Sequence, residues 1–137
     1  MGLYETFGTE KSYEQEGIRL QFGDSFIRVK RAGGSNNEFQ KLLMKRMSPH
    51  KALLKNNLMP EEQAASILAE VYADSVIIGW ENVTGPDGKP MEFTRENVIK
   101  LLIDLPDLFD AIREACTDHA NFQQEMIQKE TEDLKKN

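Results

Sequence analysis

The clearest pattern in the sequence is an alternation of apolar and polar residues over residues 18–31, interrupted once by Gly23-Asp24. Such alternation predicts two half-buried strands, and a two-residue turn containing glycine predicts that they form a β-hairpin. Because the turn fixes the register, Leu20 should face Ile27 across the hairpin. The apolar side chains then share one face and the basic side chains share the other. Phe26 is the exception, and we expect it to be exposed on the basic face.

Beyond Gly33-Gly34, apolar residues recur at intervals of three and four, which is typical of amphipathic helices. Capping residues and prolines divide this region into five predicted helices. They begin near Ser35-Asn36-Asn37 (which supply capping oxygens), Ser48-Pro49, Pro60, Thr94 and Pro106. The third should carry an apolar stripe as far as Ile78, and the fifth should reach Met126. The stretch from Glu81 to Phe93 is rich in turn residues and is predicted to be a loop.

These elements predict one domain, mainly α within the α+β class, with an N-terminal β-hairpin followed by a bundle of about five helices. A length of 137 residues is typical of a single domain. We expect this domain to span residues 17–128. Residues 1–16 are predicted to be a polar arm, and residues 129–137 a charged C-terminal tail.

The composition favours a soluble cytoplasmic protein. The chain is 39% hydrophobic and 29% charged, which is enough apolar material for a core. No apolar run approaches the ~20 residues that cross a bilayer, and the start lacks the pattern of a signal peptide. A single cysteine excludes a disulfide framework and a cysteine-built zinc site.

The formal net charge of -6 is unevenly distributed. Residues 1–56 hold 10 basic and 6 acidic residues, residues 57–103 hold 3 and 8, and residues 104–137 hold 4 and 9. Such asymmetry is typical of solvated faces. Two less favoured alternatives are the steering of an acidic partner to the N-terminal third and head-to-tail self-association.

The residue types that carry chemistry are sparse. Cys116 and His119 lie three positions apart on a predicted helix, close enough to act as a nucleophile and its base. Both fall along the apolar stripe, which favours simple packing. The only other histidine is His50, and no carboxylate cluster of metal-ligand spacing accompanies it. We therefore predict no catalytic, cofactor-binding or metal-binding residue and no enzymatic activity.

A basic set gives one alternative, a nucleic-acid-binding or regulatory protein that uses the basic hairpin face. Phe26 would stack on a base in that interpretation. The basic residues are Arg28, Lys30, Arg31, Lys41, Lys45, Arg46, Lys51 and Lys55. A pI near 5.0 argues against it, because nucleic-acid-binding domains are normally basic.

Soft apolar side chains near predicted loops and helix ends favour a surface that binds other proteins. The candidate protein-binding residues are Trp80, Val83, Phe93, Leu58, Met59 and Phe26.

A set of short motifs strengthens that interpretation. They are Gly79-Trp80-Glu81-Asn82-Val83, Asp87-Gly88-Lys89-Pro90, Phe93-Thr94, Glu96-Asn97-Val98 and Leu105-Pro106-Asp107-Leu108. With these motifs the sequence resembles the siphovirus-type tail assembly chaperones of long-tailed bacteriophages, over about residues 17–125. A structural head-tail or neck component is the second alternative.

The resemblance implies a non-enzymatic factor that binds the tape measure protein in the host cytoplasm and keeps it soluble while the tail tube polymerises. It also implies that the protein is absent from the mature virion. Members of such families often have a longer form made by ribosomal frameshifting, whose extension recruits tail tube protein. The peptide Lys135-Lys136-Asn137 is compatible with the A-rich codons of a slippery site.

Overall fold

The computed structural model describes residues 2–8 and 16–122, and its sheet contains three antiparallel strands. They are β1 (Ile18–Phe22), β2 (Ser25–Val29) and β3 (Ile77–Glu81), with β2 in the centre. The predicted hairpin is confirmed, because Leu20 lies opposite Ile27 in the β1–β2 pair. Gly23 has a φ of 62°, the left-handed conformation that a primed turn needs and glycine adopts freely.

Strand β3 corrects the prediction that Ile78 belongs to the third helix. In the structure that helix ends at Ser75, and Ile77–Glu81 pairs with β2 so that Trp80 lies opposite Ile27. The register shifts between Arg28 and Val29, which breaks the simple alternation that identifies a strand. The added strand has a clear physical role, since an isolated two-stranded hairpin is marginally stable in water.

Six helices lie wholly within the described part of the chain. They are α1 (Leu3–Phe7), α2 (Asn37–Met47), α3 (Lys51–Lys55), α4 (Glu61–Ser75), α5 (Arg95–Asp104) and α6 (Pro106–Thr117), with short 3₁₀ turns at Ser48–His50 and His119–Phe122. The bundle has four helices, α2, α4, α5 and α6, so the prediction of about five is wrong. The predicted second helix is the five-residue α3, which is exposed throughout and contributes nothing to the core.

One predicted helix boundary is confirmed, and two others differ from the structure. Thr94 caps α5 as expected, since its hydroxyl accepts a hydrogen bond from the Asn97 N–H at 3.2 Å. Asn36 precedes α2 but its side chain does not cap it. Helix α6 ends at Thr117, and Met126 lies outside the described residues.

The buried side chain of Asn36 connects two distant segments. Its Nδ2 donates hydrogen bonds to the backbone carbonyls of Arg31 and Ser75, both at 2.9 Å. A buried amide is stable only when such partners are present, so this contact fixes the path between the hairpin and the end of α4.

The core lies between the inner face of the sheet and the helices. Tyr72 of α4 occupies its middle, in edge-to-face contact with Phe39 at 5.6 Å and with Phe109 at 5.3 Å between ring centroids. The fully buried side chains around it include Ile27, Val29, Val98, Leu102, Ile112 and Phe122. None of the helices in the described ranges combines the length and the apolar character needed to span a membrane. The division into arm, domain and tail stays a prediction.

Candidate functional site

Trp80 lies where β3 meets the following loop. Strand pairing with Ile27 directs it to the inner side of the sheet, and its ring is half-buried. The indole N–H donates a hydrogen bond to the backbone carbonyl of Met91 at 2.9 Å. The Phe93 ring packs edge-on against the indole at 5.2 Å between centroids, with 81° between their planes. Trp80 therefore connects strand β3 to the end of the loop that contains Met91 and Phe93.

The loop between Trp80 and Phe93 has an ordered backbone of its own. The Met91 N–H donates to the carbonyl of Val83 at 2.8 Å, and the Gly85 N–H donates to the carbonyl of Lys89 at 2.9 Å. Gly88 closes the tip with a φ of 77°, a conformation that suits glycine. These bonds give the loop the form of a short hairpin, which holds its side chains in fixed positions.

Hydrogen bonds also connect the loop to the β1–β2 turn. The Ser25 hydroxyl donates to the Asn82 carbonyl at 2.8 Å, and the Asn82 side-chain amide donates to the Asp24 carbonyl at 3.3 Å. Asn82 has a φ of 57°, in the left-handed region that asparagine tolerates better than most residues. This arrangement turns the chain sharply out of β3 and opens a space between the turn and the loop.

That space is an open cavity of about 730 Å³. Its lining combines apolar side chains with a polar rim, and polar atoms make up more than half of its exposed surface, so it is suited to a group that offers hydrogen bonds as well as apolar contact. The apolar side chains are Trp80, Val83, Pro90, Met91 and Phe93, and the rim consists of Asp24, Ser25, Asn82 and Thr84. Asp24 is the only ionisable residue in this lining, so the cavity is equipped for binding by shape and hydrogen bonds.

Three of the six predicted binding residues meet at this cavity, namely Trp80, Val83 and Phe93. Leu58 and Met59 lie instead in the connection between α3 and α4 and do not line it. Met91 and Asn82 also line the cavity, although the candidate binding residues do not include them. The turn-rich composition of residues 81–93 was the available signal, but it does not reveal which loop residues face inward.

Phe26 is half-buried on the outer face of the sheet, which corrects the expectation that it is exposed. The Arg19 guanidinium lies 3.6 Å from the centroid of the Phe26 ring and also pairs with Glu81 at 2.6 Å. One face of the ring is thereby occupied by a cation.

Arg46, from the predicted basic set, has acidic partners within the domain. It pairs with Glu70 at 2.8 Å and with Asp74 at 2.9 Å. Asp74 also pairs with Arg95 at 2.7 Å, so one carboxylate on α4 joins α2 to α5. The hydrogen bond to Asp74 is the main reason that the pKa of Arg95 is raised.

Cys116 is buried in the core, and this burial raises the pKa of its thiol to about 12. A nucleophilic cysteine needs a thiolate, which this environment disfavours. The side chain of His119 lies outside what the structure describes. Within residues 2–8 and 16–122, no three histidine, cysteine, aspartate or glutamate side chains are grouped so as to hold a metal ion.

Comparison with models of known protein families assigns most of the chain to a family. A family model described as YdaY prophage protein matches residues 34–136, which include α2 to α6 and the loop that borders the cavity. No curated protein and no solved structure matches the chain.

Proposed function

The chain belongs to the YdaY prophage protein family, and from this phage origin we propose that it is a non-enzymatic tail assembly chaperone. In this proposal it binds the tape measure protein in the host cytoplasm and keeps it soluble while the tail tube assembles. The motif resemblance over residues 79–108 supports this assignment, and five of its residues line the cavity, namely Trp80, Asn82, Val83, Pro90 and Phe93.

The observation that carries the proposal is the convergence of Trp80, Val83 and Phe93 on one open cavity. Phe93 is 40% exposed although it packs against Trp80, so part of its ring is available to a partner. A tape measure protein is a long helical client with apolar stripes. Weak binding of single side chains by many copies would cover such stripes through avidity.

Co-expression with the tape measure protein of the same prophage tests this function. We expect the client to be soluble with the chain and insoluble without it, as measured by its fraction in the cleared lysate. A client that is equally insoluble in both cases would overturn the proposal.

A pair of matched variants tests the cavity. Phe93→Ala removes a partly exposed ring from its wall and should lower the soluble fraction of the client. Phe7→Ala removes an equally large ring, 63% exposed, from α1, which lies outside both the cavity and the family match. It should behave like the wild type. Equal solubility with both variants would show that the cavity is not the contact.

Two further partners belong to the proposal. A longer form made by frameshifting would recruit tail tube protein, and copies of the chain would associate through their opposite charges. Mass spectrometry of infected cells should detect a minor longer product with the same N-terminus, and purified virions should contain neither form. Sedimentation should show association that weakens as salt rises, because exposed charges are screened over ~8 Å at physiological ionic strength.

A further inference from the structure

A second groove lies on the helical side of the domain, away from the cavity at Trp80. It runs between the first half of α4 and the junction of α5 with α6, and has a volume of about 490 Å³. Its floor contains the buried side chains of Leu102 and Phe109. Ile103 forms one wall and is 47% exposed, and the wall formed by α4 carries the small side chains of Ala65 and Ser66 next to Glu61 and Glu62.

Charge around this groove is mainly negative. Glu61 and Glu62 stand exposed in the first turn of α4, and Asp110 rises from α6. Arg113 is the one basic residue in the lining; it pairs with Asp110 and lies over the Phe109 ring, 4.8 Å from its centroid. Neither Glu61 nor Glu62 forms an ion pair with another residue in the part of the chain that the structure describes.

We propose that this groove binds a basic amphipathic helix. The inference rests on the proposed function for the identity of the partner, since it places that helix in the tape measure client. Apolar side chains on one face of the helix would contact Leu102, Ile103 and Phe109. Lysine or arginine side chains beside them would pair with Glu61 and Glu62.

The shape of the groove favours a helix over an extended peptide. Its walls are helices and no strand lies in its lining, so the groove offers no sheet edge to which a strand could be added. The small side chains at Ala65 and Ser66 allow the axis of an incoming helix to approach closely, because the distance between packed helices depends on the residues at the contact. The carboxylates of Glu61 and Glu62 then determine the sign of charge that the partner must carry, since Asp110 is already paired with Arg113.

Peptide binding to the full chain provides the test. The probe is a fluorescein-labelled peptide of about 15 residues, near the minimum for an isolated helix, with leucine on one face and lysine on its flanks. The comparison peptide has glutamate in place of lysine. We expect fluorescence anisotropy at low salt to show binding of the lysine peptide that is about tenfold tighter. Equal binding of the two peptides would overturn the inference.

Variants of the chain locate the contact. Ala65→Trp fills the groove without removing an existing side chain, and should weaken binding of the lysine peptide at least about tenfold. Ala52→Trp places the same ring on the exposed helix α3 and should leave binding unchanged. The double reversal Glu61→Lys with Glu62→Lys should weaken binding about fivefold, as expected for two exposed charge pairs. Glu92→Lys with Glu96→Lys is the matched reversal outside the groove and should have no effect.

The two proposals fail in different ways. If Ala65→Trp binds the lysine peptide as tightly as the wild type, the groove inference is wrong even when co-expression still keeps the client soluble. If the wild-type chain binds the lysine peptide through the groove but never keeps the client soluble, the chaperone function is wrong and the preference of the groove for a basic helix stands.

Discussion

Trp80 donates its indole N–H to the backbone carbonyl of Met91 over 2.9 Å, and thereby connects the last strand of the sheet to the far end of the loop that follows it. The same indole packs edge-on against Phe93. One side chain thus holds the floor and one wall of the cavity in place. A substitution at Trp80 should affect stability and client binding together, whereas one at Phe93 should mainly affect binding.

Replacing Trp80 by phenylalanine should lower the free energy of unfolding by about 1–2 kcal/mol. The variant loses the hydrogen bond and leaves the Met91 carbonyl without this donor, while an aromatic ring remains. Trp80→Ala should cost about 3 kcal/mol or more, since the ring is also lost. Urea unfolding followed by circular dichroism measures both. Identical midpoints for Trp80→Phe and the wild type would show that the hydrogen bond contributes nothing to stability.

Asn36→Ala should lower the free energy of unfolding by about 2–4 kcal/mol, because it removes one buried and one partly buried hydrogen bond and leaves the carbonyls of Ser75 and Arg31 without this amide. Asn56→Ala is the matched control. Its amide also donates to a backbone carbonyl, that of Ala52, but on an exposed surface. We expect a cost of about 0.5 kcal/mol there. Similar denaturation midpoints for the two variants would contradict the structural role of Asn36.

The buried thiol of Cys116 predicts a loss of stability in alkali. Burial raises its pKa from an ordinary value of 9.0 to about 12, so above pH 9 only the unfolded chain releases this proton. The thiol's contribution is therefore complete below pH 9 and falls by about 1.4 kcal/mol per pH unit between pH 9 and 12. Burial also raises the pKa of the Tyr72 phenol, whose contribution begins to fall above pH 10.

Cys116→Ala isolates this effect. The variant should lose about 1–2 kcal/mol at neutral pH through the smaller buried side chain, and its stability should stay level between pH 9 and 10 where that of the wild type declines. Denaturation at a series of pH values measures the difference. Rapid reaction of the native wild-type chain with a thiol reagent at pH 8 would contradict the burial of this group.

Nucleic-acid binding should be weak. Arg19 and Arg46 already have acidic partners, and the net charge of the chain is -6. With labelled DNA or RNA at physiological salt we expect no binding tighter than about 10 μM, the range of non-specific contacts. Tight binding that falls steeply with salt and disappears in Arg28→Ala would instead favour the nucleic-acid-binding alternative.

The parts of the fold that the sequence predicts correctly depend on interactions between residues that are close in the sequence. The Gly23-Asp24 turn sets the pairing of Leu20 with Ile27, and Thr94 caps the helix that begins one residue later. Strand β3 depends on a partner far away in the sequence, and its irregular register removes the alternation that would reveal it. A strand of five residues that contains a glycine and is separated from α4 by Val76 alone carries no local signal strong enough to identify it.

The candidate site is likewise predictable only in part from the sequence. A tryptophan, a turn-rich loop and a phenylalanine indicate an apolar surface near residues 80–93. The contributions of Asp24 and Ser25 arise only because β2 and β3 pair and bring the hairpin turn beside Asn82. Phe26 illustrates the converse, since its exposure was inferred from strand alternation and the contact with Arg19 reduces it.

The central position of β2 has a consequence for synthesis of the chain. Val29 and its partner Ile77 are separated by 48 positions, so a ribosome releases the complete β1–β2 hairpin well before β3 exists. During that interval the N–H and C=O groups along one side of β2 lack the strand that later binds them. Open edges of this kind pair readily with other chains. On a polysome, the open β2 edges of nascent hairpins on neighbouring ribosomes can therefore pair with one another until Glu81 has emerged and β3 covers them.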